Sequence, residues 1–534
     1  MTGEVETRFR EGSTPVWRRL DPAPVPSGPV QTAPVVVIGS GPVGLAFAVD
    51  LAQRGQKVVV LGKHPSVPLG SRAICFSKRS LDILDRLGVA DAGVAKGVTW
   101  NIGKVFWKDN REPVHQFDLQ PVKNQKMPAF INLQQYYMED LLLERAAQLP
   151  GIDFRPGHEV TALAPDADGT TITVNCGGET YQLRADWTIA CDGSKSFVRE
   201  SLGLDFEGRV FEDNFLIADI RMAEEKEPER WFWFDPPFNP GQSALMHRQP
   251  DDVWRLDFQL GWGIDREAAV RPENVERFVK AMLGPDVEFE EVWYSVYTFQ
   301  CRRMKRFVHD RVIFAGDSAH LVSPFGARGC NGGLADIDNL GWKLDLVLRG
   351  EATVALLESY NDEAITTADA NIRASTRATD FITPKSPASV TFRNAVLELA
   401  EDAPFGQQWI NSGRLSVAIP YPDSTLNTPD TDDWGGRGIA PGTVGIDAPL
   451  GEGYLMERLG NEFVLVCDEQ LQIDVHGVRT LSIPPDAATL RERYDLAPGS
   501  AYLMRPDQYV VARWKNPAAA LVRAALARAK GAVA

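Results

Sequence analysis

The run Val35-Val36-Val37-Ile38-Gly39-Ser40-Gly41-Pro42-Val43-Gly44 constrains this chain more than any other feature. Four apolar β-formers read as a buried strand, and glycines follow at G-x-G-x-x-G spacing. Leu45–Gln53 continues as a helix, and Val58-Val59-Val60-Leu61 reads as a second strand. Strand, glycine turn, helix and strand in that order form a βαβ unit. Gly39, Gly41 and Gly44, with Pro42 between them, would allow a tight turn and a close approach of backbone to a pyrophosphate. The start of the helix would offer free N–H groups to its charge. A plain turn would not need three glycines at these offsets.

One position departs from the pattern. A carboxylate that holds ribose hydroxyls is expected where the second strand ends, yet Gly62 stands there, followed by Lys63 and His64. An unreplaced charged hydrogen-bond partner would cost roughly 1.5–3 kcal/mol of cofactor binding. A water, a backbone group or Lys63 are the candidates to fill the gap.

A chain of 534 residues predicts about three domains. The formal charge of −16 argues against nucleic acid and anionic membrane surfaces as partners, while leaving room for a local basic pocket. Six cysteines are scattered without a CxxC pair, and seven histidines form no HExxH, so neither a metal site nor a disulfide framework is expected. A reduced, cytoplasmic setting follows. No secretory leader is expected at the start, and no membrane span: the uncharged run Ala33–Val49 falls short of the roughly 20 residues needed and has glycines at its centre.

Proline-rich residues 1–33 read as an extension, and 34–204 as the first part of a nucleotide-binding domain with a helix from Gln135 to Gln148. In 205–300 aromatic and polar residues alternate, as in Trp254-Arg255-Leu256-Asp257-Phe258-Gln259-Leu260, which predicts an inserted antiparallel sheet with one covered face. Residues 301–420 return to the first domain and its helices, 421–442 read as a linker, and 443–534 form a last domain.

Two further motifs carry chemistry. One is Cys191-Asp192-Gly193-Ser194-Lys195-Ser196-Phe197-Val198-Arg199. The other is Phe314-Ala315-Gly316-Asp317-Ser318-Ala319-His320, continuing from Pro324 through Gly329-Cys330-Asn331 to Gly333. Each Asp-Gly or Gly-Asp alone could be an ordinary turn. In the longer stretch a strand ends on an acid, and a glycine-rich loop then enters a helix, which brings backbone N–H groups to a negative or developing-negative ligand.

In this order and spacing the three motifs resemble the single-component FAD-dependent aromatic hydroxylases of the para-hydroxybenzoate and phenol hydroxylase type. Within them, the closest branch is the one hydroxylating 3-(3-hydroxyphenyl)propionate. The resemblance covers about residues 33–380 and, more loosely, the C-terminal domain. It implies an α/β chain: a Rossmann-type FAD-binding domain, an inserted antiparallel-sheet substrate domain and a thioredoxin-like C-terminal domain. It also implies that Gly39, Gly41 and Gly44 line the FAD pyrophosphate, Arg72 contacts the flavin side, and Gln135 reaches FAD, with Gln134 as rival. Val160 would lie by the adenine, and Asp192-Gly193 would serve FAD and NAD(P)H together. Asp317 would bind the ribitol, Pro324 would flank the reactive edge of the flavin, and Gly329, Cys330 and Asn331 would meet its pyrimidine ring.

The activity so implied is monooxygenation. NADH or NADPH reduces FAD, O2 forms a flavin C4a-hydroperoxide, and an OH group passes to a small phenolic or other aromatic substrate. The absence of a second G-x-G-x-x-G fits a family in which NAD(P)H binds without a domain of its own. His247, beside Arg248, is a candidate base for a phenol, its bland alternative being a surface turn; His320 reads as a structural hydrogen-bonding residue. Trp231-Phe232-Trp233-Phe234-Asp235-Pro236 resembles the WxWxIP stretch of flavin-dependent halogenases, but Asp235 replaces the isoleucine. Cys467, without a CxxC partner, suggests a structural or dimer-related role for its domain, and a homodimer stays open. The rival readings are a same-fold epoxidase, halogenase or reductase on a larger polycyclic substrate, and a non-catalytic FAD-binding module.

Overall fold

A computed structural model describes residues 16–26, 28, 30–70, 73–119, 122–223, 227–411 and 415–532. Its first sheet runs, in spatial order, Ile152–Pro156, Val58–Gly62, Gln31–Ile38, Glu179–Ala190, Gly169–Cys176, Glu159–Asp166. The first four strands are parallel and the last pairs antiparallel. Every residue of Val35–Ile38 and of Val58–Leu61 is buried, as expected for parallel strands covered on both faces. The strand Val312–Phe314 pairs in parallel with the far end of Glu179–Ala190. The helix begins at Pro42, whose missing N–H costs nothing at a first turn, and runs to Gln53.

The second sheet runs His320–Leu321, Glu290–Met304, Phe206–Arg221, Val253–Gly261, Ser243–Arg248, Arg230–Phe234, Ile102–Trp107, His115–Asp118. It is therefore not confined to 205–300, because two strands come from within 34–204 and one from beyond 304. Alternation in Val253–Gly261 gives the expected two faces, but both are covered. Trp254, Leu256 and Phe258 pack with Val275 and Val279 of the helix Pro272–Leu283. Arg255 and Asp257 turn to the other side, toward the first domain, and are buried as well.

Residues 421–442 lack helix and strand, as a linker would, yet they are packed rather than free. Tyr421 stacks on Tyr509 with centroids 4.8 Å apart, and Asp430 pairs with Arg513 at 2.6 Å. The last sheet has the order Arg479–Ile483, Val464–Asp468, Ala501–Met504, Val510–Trp514, with only the first pair parallel. Part of the N-terminal extension is ordered too. Val16–Arg19 pairs with Ser66–Pro68, and Trp17 stacks on Tyr136 at 4.6 Å; residues 1–15 lie outside the described residues.

Buried charges join the last domain to the helices Gly329–Leu348 and Leu356–Ile382. Arg505 reaches Glu363 at 2.8 Å and Asp507 at 2.6 Å, and Lys343 meets Glu363 at 2.8 Å. Burial holds the Lys343 ammonium down at about 8 despite Glu363 beside it. Arg79 pairs with Asp338 and donates to the Gln508 side chain at 2.6 Å and to the Asp507 carbonyl at 2.7 Å. Breaking such a network from one side leaves charges without partners in a medium that cannot solvate them. Arg505→Met is expected to cost about 3–5 kcal/mol. Calorimetry should show a lower melting temperature, and limited proteolysis should cut first within 421–442.

Candidate functional site

The three motifs meet because their strands are neighbours. Glu179–Ala190 lies between Gln31–Ile38 and Val312–Phe314, so three loops leave the same sheet end together. Cys191 N–H donates to the Ile38 carbonyl at 2.8 Å, and Ala315 N–H to the Ala190 carbonyl at 3.1 Å. Gly39 has φ +113°, and a Cβ there would stand 2.3 Å from the Cys191 carbonyl oxygen. A Cβ on Gly44 would stand 2.0 Å from the Gly39 carbonyl oxygen, so helix and strand touch through backbone. Gly41 is different. Nothing lies within 4 Å of where its Cβ would point, and that space belongs to a cavity of about 1010 Å³.

The cavity fits a dinucleotide. Its wall includes Gly39, Gly41, Pro42, Lys63, Gln135, Val160, Asp192, Gly193 and Asp317, then Pro324, Gly329, Cys330 and Asn331. Gly41 leaves the cradle that a pyrophosphate would fill, and no side chain caps the helix start at Pro42. Asp192 accepts from Val198 N–H at 3.1 Å through one oxygen, while its other oxygen is buried without a partner. Gln135 lines the cavity and accepts from Ala73 N–H at 3.1 Å, whereas Gln134 is buried elsewhere, donating to the Pro250 carbonyl. Asn331 spends its side chain on backbone, accepting from Ser77 N–H at 3.0 Å and donating to the Cys75 carbonyl at 2.9 Å. Its own N–H, in the first turn of Gly329–Leu348, is the group left to meet a ligand; the glycine-rich run is helix rather than loop. Arg72 lies outside the described residues.

Gly62 now has a physical reason. A Cβ there would be 2.6 Å from Ser40 Oγ, so the Ser40 side chain occupies the room a carboxylate would need. Lys63 pairs with Glu159 at 2.7 Å, and both line the mouth of the cavity next to Val160.

The other end of the cavity is the inner face of the second sheet. Register places Arg230, His247, Arg255, Asp219 and Trp293 in one row across five strands. Asp257 sits one row on, between Leu245 and Ile217, and Tyr297 lies opposite Phe215 another row on. Phe215 meets Phe325, the residue after Pro324, edge to face at 5.2 Å. His247 is thus a cavity residue on a strand, not part of a surface turn. Burial, with Arg230 and Arg255 beside it, pushes its imidazole well below the usual range, which weakens it as a base. Asp257 was not anticipated as a site residue. Burial raises its carboxyl to about 6 against the opposing charges of Arg255 and Arg230. Glu139, also missed, is raised by burial to about 7, although Gln135 donates to it. The period-two pattern could have nominated Asp257 together with Arg255; nothing in the sequence marks Arg230.

His320 is a strut. Its Nε2 lies 2.6 Å from Asp336, which also accepts from Gly316 N–H at 2.9 Å, fixing the turn that presents Asp317. Among the described residues no cluster of side chains could hold a metal ion, and no helix is long and apolar enough to cross a membrane.

A family model described as FAD binding domain matches residues 32–375. The 3-(3-hydroxy-phenyl)propionate/3-hydroxycinnamic acid hydroxylase of Klebsiella pneumoniae subsp. pneumoniae is 28% identical over 490 residues, 88% of this chain and 86% of its own. The Comamonas testosteroni protein of the same name is 30% identical over 394 residues, 73% of this chain and 65% of its own. The crystal structure of the flavin-dependent monooxygenase PieE in complex with FAD and substrate superposes with a TM-score of 0.78 at 20% identity. It covers 95% of this chain and all of that one.

The glycines predict distinct outcomes. Gly41→Ala meets no protein atom and should fold normally, yet its methyl would enter the pyrophosphate space at about 1–3 kcal/mol, weakening FAD roughly 5- to 150-fold. Equilibrium dialysis of FAD measures this. Gly39→Ala, facing backbone at 2.3 Å, should instead fail to fold, read as insoluble expression.

Proposed function

This chain belongs to the FAD binding domain family, and from that premise we propose that it is a flavin-dependent aromatic monooxygenase acting on a phenolic or similar aromatic substrate. The observation that carries the reading is one continuous cavity, walled at one end by Gly39–Pro42, Asp192 and Asp317 and at the other by Asp257, Tyr297 and Arg230. A cofactor loop and a substrate-sized chamber share one interior. The names of the curated relatives, hydroxylases of 3-(3-hydroxyphenyl)propionate, point to the same chemistry. Bound FAD, reduced by NADH or NADPH, supplies the redox chemistry and the activation of O2.

The residues assigned to FAD are those of the first end. Gly39, Gly41, Pro42 and Gly44 form the pyrophosphate turn. Asp192, Gly193 and Asp317 offer carboxylate and backbone to hydroxyl groups, and the helix start at Gly329-Cys330-Asn331 offers N–H groups to the flavin ring. In place of an acid at Gly62, Glu159, held by Lys63 beside Val160, is the carboxylate near enough to serve the adenosine end. Pro324 would border the reacting edge.

At the other end the protein excludes water and prepares the ring. Phe215, Phe325 and Leu245 make the chamber apolar around the reacting carbon. Asp257, near 6, is better matched than His247 to take a phenolic proton at neutral pH, and an ionised phenol is the more electron-rich partner. The last domain reads as thioredoxin-like on strand order and direction, with a loop where the helix bearing redox cysteines would lie and Cys467 buried inside a strand. Its task is docking.

Purified yellow protein should oxidise NAD(P)H faster with phenols such as 3-(3-hydroxyphenyl)propionate and yield a product heavier by one oxygen. Faster oxidation without product would mean uncoupling, and no response to any phenol would shift weight to polycyclic substrates or to a non-catalytic module. If Asp257 is the base, kcat/KM should rise with pH through about 6, where its carboxyl loses its proton. Asp257→Asn should lower the plateau about 10²-fold or more and abolish that limb of the profile.

A further inference from the structure

Arg230 lines the chamber with a charge that no carboxylate of the described residues meets in an ion pair. Its side chain is buried, with 6% exposure for the residue, and lines the cavity. Its Nε has no hydrogen-bond partner, and no described residue forms an ion pair with its guanidinium. The neighbours explain why. Arg255 holds Asp219 through two contacts of 2.8 Å, so that carboxylate is spent. Cys75 donates its thiol to Asn132 at 3.1 Å. His247, directly opposite in register, keeps a buried Nδ1 without partner and is itself repelled by the guanidinium. Asp257 senses Arg230 through space, but the two share no hydrogen bond.

A buried guanidinium with open donors costs several kcal/mol unless an anion joins it. Its planar fork of N–H groups matches a carboxylate better than any neutral group. The anchor also has a defined place. It lies in the row of Arg255, whereas Gln259, four residues further along that strand, shares the row of Phe215 and Tyr297 beside Phe325 and Pro324. Four residues of strand amount to about 13 Å of backbone. We infer that Arg230 binds the carboxylate of an aryl-alkanoic substrate at one end of the chamber, with the ring extending along the strands toward the row of Phe215. This rests on the aromatic monooxygenase reading and deepens it: Arg230 is a specificity residue for anionic substrates.

The test separates binding from turnover. The FAD-loaded full chain is titrated with 3-phenylpropionate and with 3-phenylpropionamide, following the flavin absorbance and the melting temperature. Turnover is compared on 3-(3-hydroxyphenyl)propionate and its amide. The wild-type protein should prefer each acid over its amide at least tenfold. Arg230→Gln should lose that preference through the acid alone, with KM for the acid up at least tenfold and amide binding unchanged, and Arg230→Lys should recover part of it. Ligand-free Arg230→Gln should melt no lower than wild type, because no ion pair is lost. Equal binding of acid and amide by wild type, retention of the preference in Arg230→Gln, or a marked fall in the melting temperature of the ligand-free variant would each overturn the assignment. If phenols fail to stimulate oxidation while 3-phenylpropionate binding still depends on Arg230, the anion site stands and the hydroxylase reading falls. If acid and amide are hydroxylated alike, the reverse holds.

Discussion

Everything at the cofactor end depends on one backbone contact, Gly39 against the carbonyl of Cys191. The strand Gln31–Ile38 and the strand Glu179–Ala190 run parallel and end level, so their loops must cross at van der Waals distance. No residue with a Cβ fits at the crossing. Because Val312–Phe314 lies on the far side of Glu179–Ala190, the third loop is drawn to the same point, and Asp317 arrives there as a consequence. Segments separated by more than a hundred residues therefore form one surface without any side chain having to reach far. Parallel strands make this economical, since all their carboxyl ends open on one side.

The second sheet solves a different problem, which is how to keep charges in a closed chamber. Strand alternation sends Trp254, Leu256 and Phe258 outward under a helix, and Arg255 and Asp257 inward. Inside, Arg255 is neutralised by Asp219, and Arg230 is not. The chamber is thus polarised along the strands, cationic at one row and aromatic two rows on.

Much of the first end was legible in the chain because it is written locally. Strand, glycine spacing, helix and second strand all lie within Gln31–Gly62, and Gly39 and Gly44 each have a backbone reason. Gln135 rather than Gln134 could be chosen only once the helix was fixed in space, since adjacent residues on a helix start point about 100° apart. The chamber was barely legible. Arg230, His247, Arg255 and Asp219 become neighbours through strand pairing across up to 36 residues, and register is not visible in any one segment. The alternation around Asp257 told which residues share a face, but not that the polar face would be buried as well. The same limit hid Ile102–Trp107, a short strand whose partner Arg230–Phe234 lies far along the chain, and with it His115–Asp118, which joins the sheet only by pairing with Ile102–Trp107.

The docked C-terminal sheet has a consequence for how such a protein can change over generations. The helix Gly329–Leu348 presents its first turn to the cavity, and its middle, through Asp338 and Lys343, to Arg79, Glu363 and, one step on, Arg505. The last domain is therefore not a cassette that recombination could exchange at will. A replacement would inherit a lysine–glutamate pair waiting for a guanidinium, and it would have to bring its own Arg505, Asp507 and Gln508 in the same tight turn. Drift in that domain is free at its outer face and tied at its inner one.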